Sequence, residues 1–448
     1  MAISGTSISG LSSGLDTSTI ISQLMQVEQQ PQQNLKDKVT TTQKTVSAYQ
    51  SVNTKVAAIQ TAADALTQAT TWQAAVATSS STTVTATASA GAPGGEYTFN
   101  VKSLAKAQVT TALLGTGDTA AAGDQIGISI NGAPETVLDI TDQSAQGVAD
   151  LINKANLGVK AMAITTDQGT VLQFNATKTG TAGSFAIYGL AFDATVTDQT
   201  TGTDAVLSVG DPDNGGYTVT SSTNTFTNLI PNVTLTATQE KDGVTVSVAS
   251  DGAGLAAQVQ AMVTAANGAL TEIGNQTGYT AGTNGKPGTS GALLGDSSVQ
   301  DLAQKILGTV SAGTDGYGSL QKLGIQLSKD GQLTFDKDTF LAAFQADPTA
   351  VQSALQDGLA TSMSSVAKGA TDSATGTLTT AIQGRNDEVT RLNDQVDEWS
   401  TRLELRQSVL ERQFSAMEVA LGKLKDQSNW LAGQLASLPT ISSSSNGN

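Results

Sequence analysis

The chain has 448 residues and carries 23 Lys+Arg against 39 Asp+Glu, a net charge of −16, with neither cysteine nor histidine. Missing both residue types, it has no thiol nucleophile, thiolate metal site or disulfide scaffold, and Ser-His-Asp catalysis and most zinc centres are excluded. A polyanion without a local basic patch repels phosphate, so nucleic acid is not an expected partner and anionic membrane surfaces are disfavoured.

The length suits two to four domains, and aromatics at 4% argue for several modest cores rather than one large one. The opening Met1 to Gly10 has no basic n-region and no apolar h-region, so no cleaved secretory signal is expected. No run of about 18 apolar residues is present, so no membrane insertion is expected. Residues 1–15 lack periodicity and should be flexible on their own.

The first helix can be capped by Asp16 or Thr17, and Ile20, Leu24 and Val27 then share one face. Pro31 cannot sit inside a helix without breaking a hydrogen bond, which predicts a kink or a new helix start there. The helix that follows should run to about Leu66, with its seam at Leu35, Val39, Val46, Tyr49, Val52, Val56, Ile59, Ala63 and Leu66.

From Thr78 the pattern turns to strands. Tyr97, Phe99 and Val101 alternate, and far downstream so do Val233, Leu235 and Ala237, then Val244, Val246 and Val248 after a turn at Lys241-Asp242-Gly243. These should close one β-domain around an insertion. The insertion begins with a hairpin: Ile126, Ile128 and Ile130, a turn at Asn131-Gly132, then Val137 to Ile140. Asp142 is placed to cap a helix bearing Val148, Leu151, Ile152 and Ala155, followed by strands at 159–166 and 170–176. Residues 177–230 read as further turns and short strands.

After Asp251 the period is helical again, with Leu255, Val259, Met262, Ala266, Leu270 and Ile273 on one face. Asp296 should cap a helix carrying Val299, Leu302 and Ile306. A hairpin is expected from Leu323 to Phe335 with its turn at Lys329-Asp330-Gly331, then helices at 338–346 and 348–368.

The last helix has the longest pattern. Val389, Leu392, Val396, Trp399, Leu403, Arg406, Leu410, Phe414, Met417, Leu421, Leu424, Ser428, Leu431, Leu435 and Leu438 step by three and four, with one repeated four after Leu410. That is a heptad seam with a single stutter, ended by Pro439 and the Ser442 to Ser445 tail. A fifty-residue helix is ~75 Å long. A fully buried Leu stabilises by roughly 1.5–3 kcal/mol, so the seam needs a partner: the N-terminal helix, another copy, or both.

The expected architecture is therefore α+β and multidomain: paired N- and C-terminal helices as a coiled-coil stem or leg, a helical base, and nested, inserted β-rich domains. The divisions are 1–45 with 385–448 (leg), 46–77 with 252–384 (base), 78–115 with 225–251 (β-rich plate) and 116–224 (inserted outer domain). The oligomer and filament contacts are placed at Ile20, Leu24, Val27, Leu35, Leu392, Val396, Trp399, Leu403, Leu410, Phe414, Met417, Leu421, Leu424 and Leu431.

Two segments touch on chemistry. Asp211-Pro212-Asp213-Asn214-Gly215-Gly216 begins like a calcium loop, but its twelfth position is Ser222, which favours a plain turn. Gly285-Lys286 lies in a Gly-rich run, but Pro287 replaces the Ser/Thr of a phosphate loop. No catalytic residue, metal or cofactor is assigned.

The two ends carry a resemblance. Ile8-Ser9-Gly10-Leu11-Ser12-Ser13-Gly14-Leu15-Asp16-Thr17, then Ile21 to Met25 and Glu28-Gln29-Gln30-Pro31, resembles the start of the bacterial flagellar filament cap proteins, the hook-associated protein 2 family. Leu410 to Glu418 and Ser428-Asn429-Trp430-Leu431 resemble that family's end. Between them Tyr97 to Leu104, Ile230 to Leu235, Leu293 to Ser297 and Leu323-Gly324-Ile325 match in order, with Asn232 where the family has Gly; 126–176 is similar to a small unit inserted in flagellins. The resemblance implies an extracellular ring at the filament tip, a homo-oligomer of five copies or near it, exported by the flagellar type III system. Its implied partners are flagellin, hook–filament junction proteins and an export chaperone that holds the C-terminal helix. Flagellin itself, a junction protein or a host-surface adhesin are the alternatives.

Overall fold

The computed structural model describes residues 14, 16–114, 119–191, 194–282 and 287–437. The Ile8 to Ser13 motif with Leu15, the Gly285-Lys286 pair, and Leu438 with the tail after it lie outside the described residues.

The base is built on the long helix Gln30–Thr67. Its inner stripe of Tyr49, Val52, Val56, Ile59, Ala63 and Leu66 is buried, at the steps of three and four that put residues on one helical face. Against it lie helices Gly252–Thr277 and Thr361–Thr371 and the first turns of the C-terminal helix, and Ser297–Ser311 packs on the first two of these, around one core that includes Val259, Met262, Ile306, Phe340 and Leu378. Asp251 and Asp296 cap their helices through the backbone N–H groups of Gly254 and of Ser298 and Val299. The segment expected as one helix at 348–368 is helical without a break from Pro348 to Thr371, with a π-helical stretch at Ser353–Ala360 between its α-helical ends.

The plate packs two antiparallel sheets across a shared core. One has five strands in the order Ala75–Ser79, Lys241–Ser250, Gly95–Ser103, Ala205–Val209, Tyr217–Ser221; the other has three, Thr225–Phe226, Val233–Ala237 and Val84–Ala88. Two expectations change here. Val233–Ala237 and Lys241–Ser250 are not a hairpin, because they belong to opposite sheets. Lys241 to Gly243 is a bulge, where the register jumps between Lys241 and Val244 and Gly243 takes φ 67°. Second, the strands at 205–209 and 217–221 complete the plate rather than the insertion.

The insertion is correspondingly shorter. Ala107–Leu113 already belongs to it, in a four-stranded sheet with Thr195–Thr200, Gly169–Thr179 and Val159–Thr166. A three-stranded sheet, Thr136–Asp139, Gln125–Ile130 and Phe185–Tyr188, and the helix Ala145–Ala155 complete its core of Ile126, Ile128, Val148, Ile152, Leu172 and Phe174. The Asn131-Gly132 turn closes the hairpin with both residues at positive φ, 50° and 69°. The helix cap is Ser144, whose hydroxyl accepts from Gly147 N–H, and Asp142 instead accepts from Ser144 N–H. The insertion joins the plate at adjacent points: Lys106 and Thr203 exchange backbone hydrogen bonds of 2.9 and 3.2 Å.

Candidate functional site: the paired terminal helices

Two segments form the leg on the N-terminal side: Thr17–Glu28 and the start of Gln30–Thr67. Asp16 caps the first through Thr19 N–H at 3.0 Å. Hydrogen bonds from the Thr19 and Ser18 hydroxyls, then from Thr19 N–H, hold its carboxyl at about 2. Pro31 lies in the first turn of the second helix, where its missing N–H leaves no bond unmade. The intervening Gln29 keeps near-helical dihedrals (φ −77°, ψ −16°), so the interruption is a change of hydrogen bonding rather than a sharp bend.

The other strut is the 60-residue helix Thr377–Ala436, ~90 Å long. The two run antiparallel. Ile21 and Met25 pack with Leu403, Leu410 and Phe414. Glu28 pairs with Arg406 Nε at 3.3 Å, and Gln32 donates to Ser400 Oγ at 2.6 Å. Arg406, one of the two polar breaks in the heptad seam, thus serves as an inter-helix tie. The Arg402 guanidinium stacks over Trp399 at 5.5 Å.

Within the base, the Tyr49 hydroxyl donates to Asp296 at the N-terminus of Ser297–Ser311. Burial, then this bond and the Asp296 charge, push Tyr49 up to about 12. Burial pushes Asp296 upward, but hydrogen bonds from Ser298, Tyr49 and the backbone of Val299 and Ser298 outweigh it and hold it below the usual range. Arg385 stands near both and bonds Glu388 at 2.7 Å.

Of the residues expected to make contacts, Leu392, Leu403 and Leu410 are buried, and Ile20, Leu35, Val396, Trp399, Phe414, Met417 and Leu421 are half-buried. Leu24, Val27, Leu424 and Leu431 are exposed. Within the chain, the face of the first helix that meets its partner is therefore not Ile20, Leu24 and Val27 but Thr17, Ile21 and Met25. The doublets Ile20-Ile21 and Leu24-Met25 offer two stripes 100° apart, and intramolecular pairing can cover only one. From Lys423 to Ala436 every residue is exposed, so the C-terminal helix ends in ~20 Å of unpartnered helix that includes Trp430 and Leu435.

Among the described residues no group of three or more acidic side chains is placed to hold a metal, and no helix is long and apolar enough to cross a membrane. Asp211 caps the Pro212–Asn214 turn by accepting from Asp213 N–H at 3.0 Å.

Helical ends paired across the whole chain, enclosing nested β-domains and displaying uncovered apolar helix, define a structural subunit made for assembly. The N-terminal model of flagellar hook-associated protein 2 matches residues 13–108 and the C-terminal model residues 202–426. The gap between them coincides with the insertion. The B-type flagellar hook-associated protein 2 of Pseudomonas aeruginosa is 28% identical over 436 residues, covering 90% of this chain and 91% of the relative. Flagellar hook-associated protein 2 of Escherichia coli K12 is 25% identical over 469 residues, covering 95% and 97%. The crystal structure of the D1-D2-D3 domains of the flagellar cap protein FliD from Escherichia coli superimposes with a TM-score of 0.57 at 26% identity, over 76% of this chain and 99% of that one. The chain belongs to the flagellar hook-associated protein 2 family, the filament cap proteins of the bacterial flagellum.

Proposed function

We propose that this chain caps the growing filament as a closed ring of copies, outside the cell, with its plates forming a lid and its terminal helices reaching down as legs. Flagellin subunits arriving through the filament then fold beneath the lid and displace it upward. The observation that carries this reading is the leg itself: an antiparallel pair whose C-terminal helix outruns its partner and leaves Leu424, Trp430, Leu431 and Leu435 bare. Exposed apolar helix of that length needs another molecule, either the filament lumen after export or an export chaperone before it. The route out is the flagellar type III system, and junction proteins at the filament base are neighbours in the same axial structure.

Electron microscopy of the concentrated purified protein tests the ring. Closed rings of uniform diameter, with a copy number near five by mass photometry, are expected; long filaments would instead make this a filament-forming subunit. Addition of the rings to filaments shorn of their tips should restore elongation with exported flagellin.

A further inference from the structure

The C-terminal helix carries a second stripe that the heptad seam hides from view. Leu405, Val409, Arg412, Ala416 and Val419 follow one another in steps of four, three, four and three, on the side of the helix turned away from Leu403 and Leu410. Leu405 is 64% exposed and Val419 59%, with Val409 half-buried between them, and the first helix leaves Leu24 at 44% and Val27 at 74%. Two open apolar stripes of matching spacing thus sit on one helix pair.

Their placement selects the occupant. The stripe on the C-terminal helix lies on its back, and the one on the first helix lies on a flank, about 100° from the buried contact. Being on different faces, they cannot meet within one pair, but they can meet head-to-tail between copies, the kind of contact that closes into rings. Rotation about an axis along the legs adds no offset in height. The register set by Glu28–Arg406 and Gln32–Ser400 then brings Val27 level with Leu405, and Leu24 level with Val409. Charge agrees. All five arginines of the chain lie between Arg385 and Arg412. Arg385 and Arg406 have carboxylate partners and Arg402 lies on Trp399, whereas Arg391 and Arg412 form no ion pair with any described residue, and of these two Arg412 lies on the stripe. Asp16 borders the open stripe of the first helix within about a turn of that height.

We propose that the legs of neighbouring copies pack side by side, the Leu405/Val409 stripe of one receiving the Leu24/Val27 stripe of a second copy, with Arg412 facing Asp16 across the contact. This rests on the ring-forming reading above. A chain without cysteine makes the test clean: full-length Val27→Cys and full-length Leu405→Cys are purified separately, mixed and mildly oxidised, so that a disulfide between them can only be intermolecular. Both positions are exposed, and the fold of each variant is checked by circular dichroism. The heterodimer should form at least tenfold faster than with Tyr217→Cys in place of Val27→Cys, an exposed site on the plate. Rings by mass photometry with cross-linking no faster than the Tyr217→Cys control would overturn the leg contact while leaving the ring intact. Cross-linking that appears only with flagellin present would overturn it too, by assigning the stripes to the filament subunit. Monomers at every concentration, without cross-links, would overturn the ring and this contact together.

Discussion

Within the base, Tyr49 ties the long helix to the N-terminus of Ser297–Ser311 in a single hydrogen bond, and its chemistry makes that tie sensitive to alkali. Because its folded-state pKa is raised from 10.0 to about 12, the contribution is complete below pH 10 and is lost as pH climbs through 12. Wild-type thermal midpoints should therefore fall between pH 10 and 12, and Tyr49→Phe should flatten that fall. At pH 7 the same change should cost about 1.5–3 kcal/mol, the range for a hydrogen bond to a charged group. Urea titrations at both pH values check the two expectations. In the insertion, the helix cap gives a second prediction. Ser144→Ala should cost about 1 kcal/mol, as loss of an N-cap hydroxyl does, measured by hydrogen exchange of the Ala145–Ala155 amides. Caps such as Asp16 and Asp296 were legible because capping is local, a matter of residues three apart. The Tyr49 bond was not, because its partner is 247 positions away and nothing near Tyr49 announces it.

Among the elements, the C-terminal helix was the most legible, since a heptad seam repeats its message every turn. The first helix was legible as a helix but not in its facing, because paired apolar residues at 20–21 and 24–25 support either of two stripes. The strands at 205–221 were harder still: a strand assigned to the insertion by its place in the chain belongs to the plate by its hydrogen bonds, and pairing between distant strands leaves no local trace. The helix pair makes its own prediction. Leu410→Asp with Leu421→Asp places carboxylates at a buried and a half-buried seam position, and a buried unpaired charge is among the costliest of changes. Amides of 17–28 and 392–414 should lose protection from exchange, while those of plate, insertion and base keep theirs. Swimming motility should be lost; wild-type motility in the double variant would refute a role for the pair in assembly.

At the level of the molecule, the nesting predicts which parts can be removed. Lys106 and Thr203 already lie side by side, so replacing residues 107–202 with a two-glycine join adds no loop to close. The shortened chain should keep a cooperative melt with the plate strands protected, and aggregation of the product would show that the insertion supports the plate. The alternation of helical and β-rich stretches was readable from changes of period along the chain. The boundaries at 107 and 203 were not, because a boundary is where pairing stops, and pairing is settled across space.

The same nesting dictates an order of events for a chain that emerges from its N-terminus. The insertion completes itself first, within about a hundred residues of contiguous chain. The plate must wait for Lys241–Ser250 to slot between Ala75–Ser79 and Gly95–Ser103, and the base for the helices after residue 252. The leg comes last, since Met25 cannot find Leu403 and Leu410 until the chain has emerged past residue 410. A prematurely ended chain would carry sound inner domains on an unpaired first helix, and could not stand among its neighbours. Under the role proposed for the legs, the pair thus acts as a seal of completeness: only a finished subunit would take a place in the assembly.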